Sequence, residues 1–313
     1  MLSLLAALVA AATPPAEIDP EALRRHVAVL ASDAFEGRMP GTRGEARTIA
    51  YVADQFEKAG LAPAAGGERW YQPVPLGSMA DPNRMSHNVI GRIAGTDPGA
   101  GTIVVMAHWD HLGLCRPEGA KDRICNGAVD NASGVAELIE LARMLAAGPR
   151  PARTILFLAT TGEESGQRGA HAFLRSPPVP PGSIRAAVNL DCVAIGPRGG
   201  PLGVVGRGLT RLDPLIDRVA AETGRIVAPG RAANEYVGRQ DGSAFLAAGI
   251  PAVMVGSAYG NLRWLHAFML TRYHHPDDEN GLRLDLRGAG QDGAFLAAFV
   301  RALADPGRFP DPR

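Results

Sequence analysis

The chain has 313 residues, of which 46% are hydrophobic and 20% charged. That length and apolar content suffice for a sizeable core, in one large α/β domain or two modest ones. Lysine plus arginine and aspartate plus glutamate both number 32, and only 5% of residues are aromatic, so neither net charge nor stacking side chains favour nucleic acid or an anionic membrane as a partner.

The chain opens on an apolar run, residues 1–12, which ends in small residues. This run is shorter than the roughly 20 residues that span a bilayer, and it resembles the hydrophobic region of a secretory signal. No lysine or arginine precedes it, and an ordinary buried helix is the alternative interpretation. We expect residues 1–16 to be a signal peptide, residues 17–313 to form a single domain, and the protein to be exported to the periplasm or secreted.

The spacing of apolar residues predicts alternating helices and strands in the rest of the chain. In chain order we predict helices at 20–32 and 43–59, strands at 87–93 and 102–107, a helix at 132–147, a strand at 154–159, a helix at 167–175, a strand at 186–190, helices at 209–223 and 242–248, a strand at 250–255 and a helix at 284–303. Continuous apolar strands that alternate with helices indicate a largely parallel sheet covered on both faces.

Three cysteines occur, and two of them, Cys115 and Cys125, lie ten positions apart in a polar stretch. In an oxidising compartment these two could form a disulfide, but spacing alone does not establish the geometry. Cys192 follows an apolar strand, and we expect it to be a buried free thiol.

Polar side chains follow three of the predicted strands, at the point where each strand ends. His108 and Asp110 follow the strand at 102–107, Glu163 and Glu164 follow the strand at 154–159, and Asp191 follows the strand at 186–190. Ligands of open α/β sheets bind beyond the carboxyl ends of the strands, so these side chains should converge there if the strands are parallel neighbours.

Further candidates lie at the start of the helix at 132–147 and in a late turn-like stretch. These are Asp130 and the pair His274-His275. Imidazoles and carboxylates suit zinc, and two zinc ions need one bridging carboxylate and about two further protein ligands each. One carboxylate that binds no metal must then move the proton, and the adjacent Glu163 and Glu164 could divide these tasks.

With these motifs in place, the chain resembles metallopeptidase family 28, in particular its exported bacterial aminopeptidases with two zinc ions. The resemblance covers nearly the whole chain after the leader and keeps the motif order of the family. It is carried by residues 30–42 and 72–76 near the start, and by the motifs at 108–113, 126–134, 162–165, 189–191 and 273–278.

The resemblance implies a three-layer α/β/α sandwich of the zinc-exopeptidase type, with a mixed, mostly parallel sheet of eight strands. No inserted protease-associated domain fits between Gln72 and His108. The resemblance also implies two zinc ions per chain, with the metal ligands His108, Asp130, Glu164, Asp191 and His274. His108 and Asp191 would hold one ion, Glu164 and His274 the other, and Asp130 both.

Three further roles follow from the same resemblance. Glu163 would be the general base and then the acid. Asp110 would hydrogen-bond His108 and orient it. Tyr273 would polarise the scissile carbonyl or its oxyanion.

One segment departs from the family pattern. Residues 240–245 keep Asp241 but lack the histidine that commonly follows such an aspartate in the family. That position is not a metal ligand, so the departure bears on the substrate pocket.

Each candidate also has a plainer interpretation. Asp130 and Asp241 could cap the helices that follow them, and Tyr273 could serve packing alone. His275 could be the ligand in place of His274. We expect His111 to be structural.

The expected function is zinc-dependent removal of the N-terminal residue of peptides, by a metal-bridging hydroxide with Glu163 as the base. Peptides are the expected substrates, with no nucleic-acid partner and no stable membrane partner. The alternatives are a carboxypeptidase or dipeptidase of the same fold, a glutaminyl cyclase, and a non-enzymatic relative.

Overall fold

The computed structural model describes residues 16–77, 81–180, 182–281 and 284–311. The expected signal peptide, residues 1–16, therefore lies outside the described residues except for its last position. None of the described helices combines the length and the apolar character that a membrane crossing requires.

Helices and strands alternate along most of the chain. The helices are α1 (Pro20–Leu30), α2 (Arg43–Lys58), α3 (Gly134–Ala146), α4 (Arg168–Arg175), α5 (Asp213–Glu222), α6 (Gly242–Ala247), α7 (Leu262–Thr271) and α8 (Arg287–Leu303). The strands are β1 (Ala62–Pro63), β2 (Tyr71–Pro75), β3 (Met85–Ile93), β4 (Thr102–His108), β5 (Gly113–Leu114), β6 (Ile124–Cys125), β7 (Thr154–Thr160), β8 (Ile184–Asn189), β9 (Gly203–Val205) and β10 (Ala252–Gly256).

Local sequence explains where the first two helices begin. The side chain of Asp19 accepts a hydrogen bond from the main-chain N–H of Glu21, and Pro20 occupies the first helical turn of α1. Thr42 caps α2 in the same way through the N–H of Gly44. Both caps satisfy N–H groups that have no partner within the helix.

Eight of the ten described strands form one mixed sheet in the order β1-β3-β7-β4-β8-β10-β9, with β2 also paired to β3. Strands β7, β4, β8 and β10 run parallel to one another. Strand β3 is antiparallel to β7, and β9 is antiparallel to β10. The carboxyl ends of the four parallel strands therefore meet at one edge of the sheet.

Helices cover both faces of this sheet. On one face, apolar side chains of β4, β7 and β8 pack with α1, α2, α3, α5 and α8 in the largest core cluster. On the other face, Val104, Met106, Leu156 and Leu158 pack against α4 and α6. Every residue of β4 is buried, which explains why its sequence is apolar without alternation. The α/β/α arrangement and the mixed sheet are thus confirmed.

The predicted element order was incomplete: strands β1, β2, β5, β6 and β9 and helix α7 were not predicted. Helix α7 buries only Leu265 and Phe268, so several of its apolar side chains lie on its exposed side and obscure the helical spacing. The predicted helix at 132–147 begins only at Gly134, since Asp130 and Asn131 have non-helical backbone angles. Ser133, and not Asp130, precedes the first residue of α3.

A small hairpin of β5 and β6 lies apart from the main sheet. Cys115 and Cys125 are joined by a disulfide across it, and Cys192 is a buried free thiol. This hairpin follows directly after the sheet edge at which β4 ends.

Candidate metal centre

The sheet edge formed by the four parallel strands carries most of the candidate residues. His108 is the last residue of β4. Glu163 and Glu164 follow β7 within four residues, and Asp191 comes two residues after the end of β8. Parallel neighbours end at the same edge, so the three segments converge there.

The segment that carries Asp130 is held by side chains from two other parts of the chain. The carboxylate of Asp278 accepts hydrogen bonds from the main-chain N–H groups of Val129 and Asp130, at 3.0 to 3.1 Å. The Asn131 amide donates to the carbonyl of Leu190 at 2.9 Å, and its oxygen accepts from the N–H of Cys192 at 3.3 Å. These contacts fix Asp130 relative to Asp191.

His274 reaches the same edge from the turn after α7. Its backbone has a φ of 58°, in the left-handed region that non-glycine residues rarely adopt. Such backbone strain persists only where the surrounding structure imposes it, often at functional sites. The neighbouring His275 is directed elsewhere, with its Nδ1 3.2 Å from Asp277.

A first group of potential metal ligands consists of His108, Asp130 and Asp191, whose ligand atoms all lie within 4.8 Å of one another. The Nε2 of His108 is 3.3 Å from Asp130 Oδ1 and 3.6 Å from Asp191 Oδ1. All three residues are buried.

A second group shares Asp130 and adds Glu164, His274 and His111. The Nε2 of His274 is 2.9 Å from Glu164 Oε2 and 3.4 Å from Asp130 Oδ2. The structure thus brings the five expected ligand residues into two adjoining groups. His111, which we had expected to be structural, belongs to the second group.

The electrostatics of the two groups fit bound cations. Burial alone would raise the pKa of Asp130, but His108 and His274 hold that pKa well below its usual range. Burial alone would lower the pKa of His274, but Asp130 and Glu164 raise it to about 10. The charged form of the buried carboxylates therefore depends on nearby positive charge. Zinc ions can supply that charge, because they bind to imidazole nitrogens and carboxylate oxygens.

The hydrogen-bond geometry of His274 also fits a bound cation. His274 Nε2 lies 2.9 Å from Glu164, yet it is buried and has no hydrogen-bond partner among the described residues. Two ligand atoms that lie close together without hydrogen-bond geometry are the arrangement that a shared ion requires. The residues present therefore fit a metal ion in each group.

Glu163 lies beside these groups but belongs to neither of them. Burial, with Asp241, Asp191 and Asp110 nearby, raises the pKa of its carboxyl group to about 10, against the opposing effect of His108. Cations bound in the two groups would favour the charged form and lower this pKa. A carboxylate next to the metals can then exchange protons with bound water or substrate.

Asp110 makes different contacts from those expected. The Nδ1 of His108 lies 3.1 Å from the main-chain oxygen of Asp110, whereas the Asp110 carboxylate is farther away, at 3.7 Å. That carboxylate accepts hydrogen bonds from the N–H groups of Glu163 and Glu164, at 3.2 and 3.4 Å. Asp110 therefore holds His108 through its backbone and the glutamate loop through its side chain.

Tyr273 lines the pocket next to the first group, and its ring stacks on His274 at 3.7 Å between centroids. Cys192, Met254 and Tyr259 are buried residues in the same lining. Tyr236, Arg239 and Met269 line both this pocket and an adjoining cavity of about 400 Å³. The pocket therefore adjoins a larger cavity across these shared residues.

Asp241 does not cap α6 with its side chain. It is fully buried and accepts a hydrogen bond from the Thr160 hydroxyl at the end of β7. Burial raises its pKa to about 7. Asp241 is not part of the lining of the pocket.

Sequence reasoning assigned no role to Asp278, Asn131 or Arg38, and it took His111 for a structural residue. Arg38 is fully buried and donates to the main-chain oxygens of Trp109 and Gly127, both at 2.9 Å. All four residues stand in the motifs that carry the family resemblance, and those motifs were a signal that could have been used. No local pattern, however, indicates that Asp278, Asn131 and Arg38 contact main-chain atoms of distant segments.

Comparison with known proteins finds a matching family and proteins of similar sequence and structure. The model of Peptidase family M28 matches residues 88–297. The alkaline phosphatase isozyme conversion protein of Escherichia coli K12 is 31% identical over 180 residues, which are 55% of this chain. The chain spans about half the length of that relative, since the match covers 50% of it.

Solved structures show the same fold at low identity. An aminopeptidase from Aneurinibacillus sp. strain AM-1 superimposes with a TM-score of 0.67 at 16% identity, covering 95% of this chain and 97% of that one. A glutaminyl cyclase from Porphyromonas gingivalis gives a TM-score of 0.69 at 19% identity, covering 91% and 98%. The two neighbours differ in activity, so the fold does not choose between those activities.

Proposed function

This chain belongs to peptidase family M28, and on that premise we propose that it is an aminopeptidase with two zinc ions, which hydrolyses the N-terminal residue of peptides. The observation that carries the proposal is the pair of adjoining ligand groups that share Asp130, with Glu163 beside them. A relative without activity would not need two complete groups and a free carboxylate at one site.

In this proposal the five expected residues hold the metals. His108 and Asp191 bind one ion, Glu164 and His274 the other, and Asp130 both. When bound, the zinc ions supply Lewis acidity and lower the pKa of a water molecule.

Glu163 is the proposed proton carrier. Its carboxylate takes a proton from the attacking water and then delivers a proton to the amine that leaves. Asp110 positions this group, because its carboxylate accepts from the N–H of Glu163 itself. Tyr273 is proposed to donate its hydroxyl hydrogen to the scissile carbonyl, from its place in the pocket lining.

The shape of the pocket supports removal of a terminal residue. Buried Cys192, Met254 and Tyr259 belong to the wall of the metal pocket, while Tyr236 and Arg239 lie where it meets the cavity of about 400 Å³. A substrate can place one residue next to the metals and the remainder of the peptide in the open cavity.

We also propose that the protein is exported, to the periplasm or beyond the cell. The disulfide between Cys115 and Cys125 supports this location, because disulfides persist in oxidising compartments.

A substrate screen tests the proposed activity. Aminoacyl p-nitroanilides with a free amine should be hydrolysed, N-acetylated versions should not, and phenanthroline should abolish the reaction until zinc is restored. Hydrolysis of peptides that carry a free carboxylate but a blocked amine would contradict the proposal and favour a carboxypeptidase. Cyclisation of an N-terminal glutamine, without hydrolysis, would favour a glutaminyl cyclase.

A further inference from the structure

His111 lies in the second ligand group although the expected five ligands do not include it. Its Nδ1 is 2.8 Å from Glu164 Oε1 and 3.8 Å from Asp130 Oδ2. Its side chain is completely buried, and its ring centroid is 5.6 Å from that of His274. Two imidazoles and two carboxylates thus surround one point.

The spacing of these four groups fits one tetrahedral ion. Zinc–nitrogen and zinc–oxygen bonds of about 2.0–2.1 Å imply about 3.3 Å between neighbouring ligand atoms of a tetrahedral site. The contacts from His111 and His274 to the two carboxylates range from 2.8 to 3.8 Å, and one ligand atom from each residue lies within 4.8 Å of all the others. Small shifts of these side chains around a bound ion would make the four distances nearly equal.

Among the described residues, only one of the two ring nitrogens of His111 has a polar contact. The Nε2 is buried without a hydrogen-bond partner among the described residues, so Nδ1 makes its polar contacts. Gly127, with a φ of 56°, packs against the ring, and a Cβ at this position would lie 2.6 Å from His111 Cδ2. The glycine thus leaves room for the imidazole to face Asp130 and Glu164.

We propose that His111 is a fourth protein ligand of the ion held by Asp130, Glu164 and His274. The inference rests on the proposed function, since it requires that the centre binds metal. With four protein ligands the second group would complete a tetrahedral coordination sphere, whereas the group of His108, Asp130 and Asp191 has three ligands and keeps a position open. The second group would therefore bind its ion more tightly, and a water shared by both ions would make that ion five-coordinate.

X-ray absorption spectroscopy at the zinc edge tests this assignment without measuring activity. The wild-type protein, loaded with two equivalents of zinc, should show three imidazoles shared by the two ions, from His108, His111 and His274. Two imidazoles would overturn the proposal, because His111 would then only donate a hydrogen bond to Glu164. Failure to bind zinc would overturn both this proposal and the proposed function, whereas a count of two imidazoles would overturn this proposal alone.

A matched pair of variants extends the test. His111→Asn should lose one imidazole from the spectrum and weaken the affinity of the tighter zinc at least about 100-fold, above the range typical for loss of an outer hydrogen bond. His171→Asn, on the exposed surface of α4, should change neither quantity. An unchanged imidazole count in a folded His111→Asn protein would contradict the assignment. The wild-type spectrum decides the question by itself if that variant does not fold.

Discussion

Glu163 is a single carboxyl group that lies beside both ligand groups without taking part in either. We expect Glu163→Gln to retain zinc and to lower kcat by about 10²–10⁴-fold, because an amide cannot accept and return a proton. Steady-state kinetics and metal analysis measure the two quantities. Glu57→Gln, exposed on α2, is the control. Near-normal turnover in a zinc-loaded Glu163→Gln protein would remove this residue from the mechanism.

A second glutamate, Glu137, is buried in α3 away from the ligand groups. It is completely buried, and neither carboxylate oxygen has a hydrogen-bond partner among the described residues. Burial, with the charge of Asp292 nearby, raises its pKa well above the ordinary value of 4.5. The folded protein therefore keeps this group protonated at pH values where the unfolded chain has released the proton.

This difference predicts a loss of stability as pH rises. Above pH 4.5 the folded state binds more protons than the unfolded state, so the free energy of unfolding falls by up to about 1.4 kcal/mol per pH unit until the folded pKa is reached. The glutamine of Glu137→Gln does not titrate. Denaturant unfolding should therefore show that the free energy of unfolding of the variant, relative to that of the wild type, rises between pH 5 and pH 8. A difference that does not change with pH would show that Glu137 does not titrate in this way.

At the scale of elements, the short helix Asp33–Arg38 connects the end of α1 to two loops of the metal centre. The guanidinium of Arg38 donates to the main-chain oxygens of Leu30, Trp109, Asn126 and Gly127. Trp109 follows His108, and Gly127 lies three residues before Asp130. One buried side chain thus fixes the distance between two segments that carry proposed metal ligands.

We expect Arg38→Lys to lower the free energy of unfolding by about 2–5 kcal/mol and to weaken zinc binding. An ammonium group cannot reproduce the planar set of donors, so buried carbonyl oxygens lose their partners. Denaturant unfolding and zinc titration measure these effects. Arg25→Lys, with a side chain 70% exposed on α1, should be neutral. Wild-type stability and zinc affinity in Arg38→Lys would refute the connecting role.

At the scale of the whole molecule, the metal centre joins segments from across the chain, from His108 to His274. Bound zinc should therefore stabilise the entire fold, by about 4 kcal/mol for each ion when the free zinc concentration is 1,000 times the Kd of its site. A chelator should lower Tm and abolish activity, and added zinc should restore both. A Tm that does not respond to the chelator would show that the fold does not depend on the ions.

Asp130→Ala provides the complementary change. Since Asp130 belongs to both ligand groups, its loss should release both ions and bring Tm close to that of the chelated wild type. The variant should also show no further decrease in Tm with chelator. Two equivalents of zinc retained by Asp130→Ala, measured by metal analysis, would exclude the shared role.

The sequence by itself predicted the α/β class, most of the elements around the sheet, and the family through the order of its motifs. These signals are local, because a buried strand needs a continuous apolar run and a site at its end needs polar residues directly afterwards. The expected ligands could be named because each one stands in such a motif. Their roles remain proposals.

The tertiary structure decided what depends on contacts between distant segments. It placed β3 antiparallel to β7, brought His111 into the second ligand group, turned the Asp110 carboxylate to the glutamate loop, and set Arg38 beneath two loops. Each of these features involves partners at least 19 positions apart in the chain. Periodicity and residue type carry information about neighbours in the chain, whereas such contacts arise only when the packed core brings the segments together.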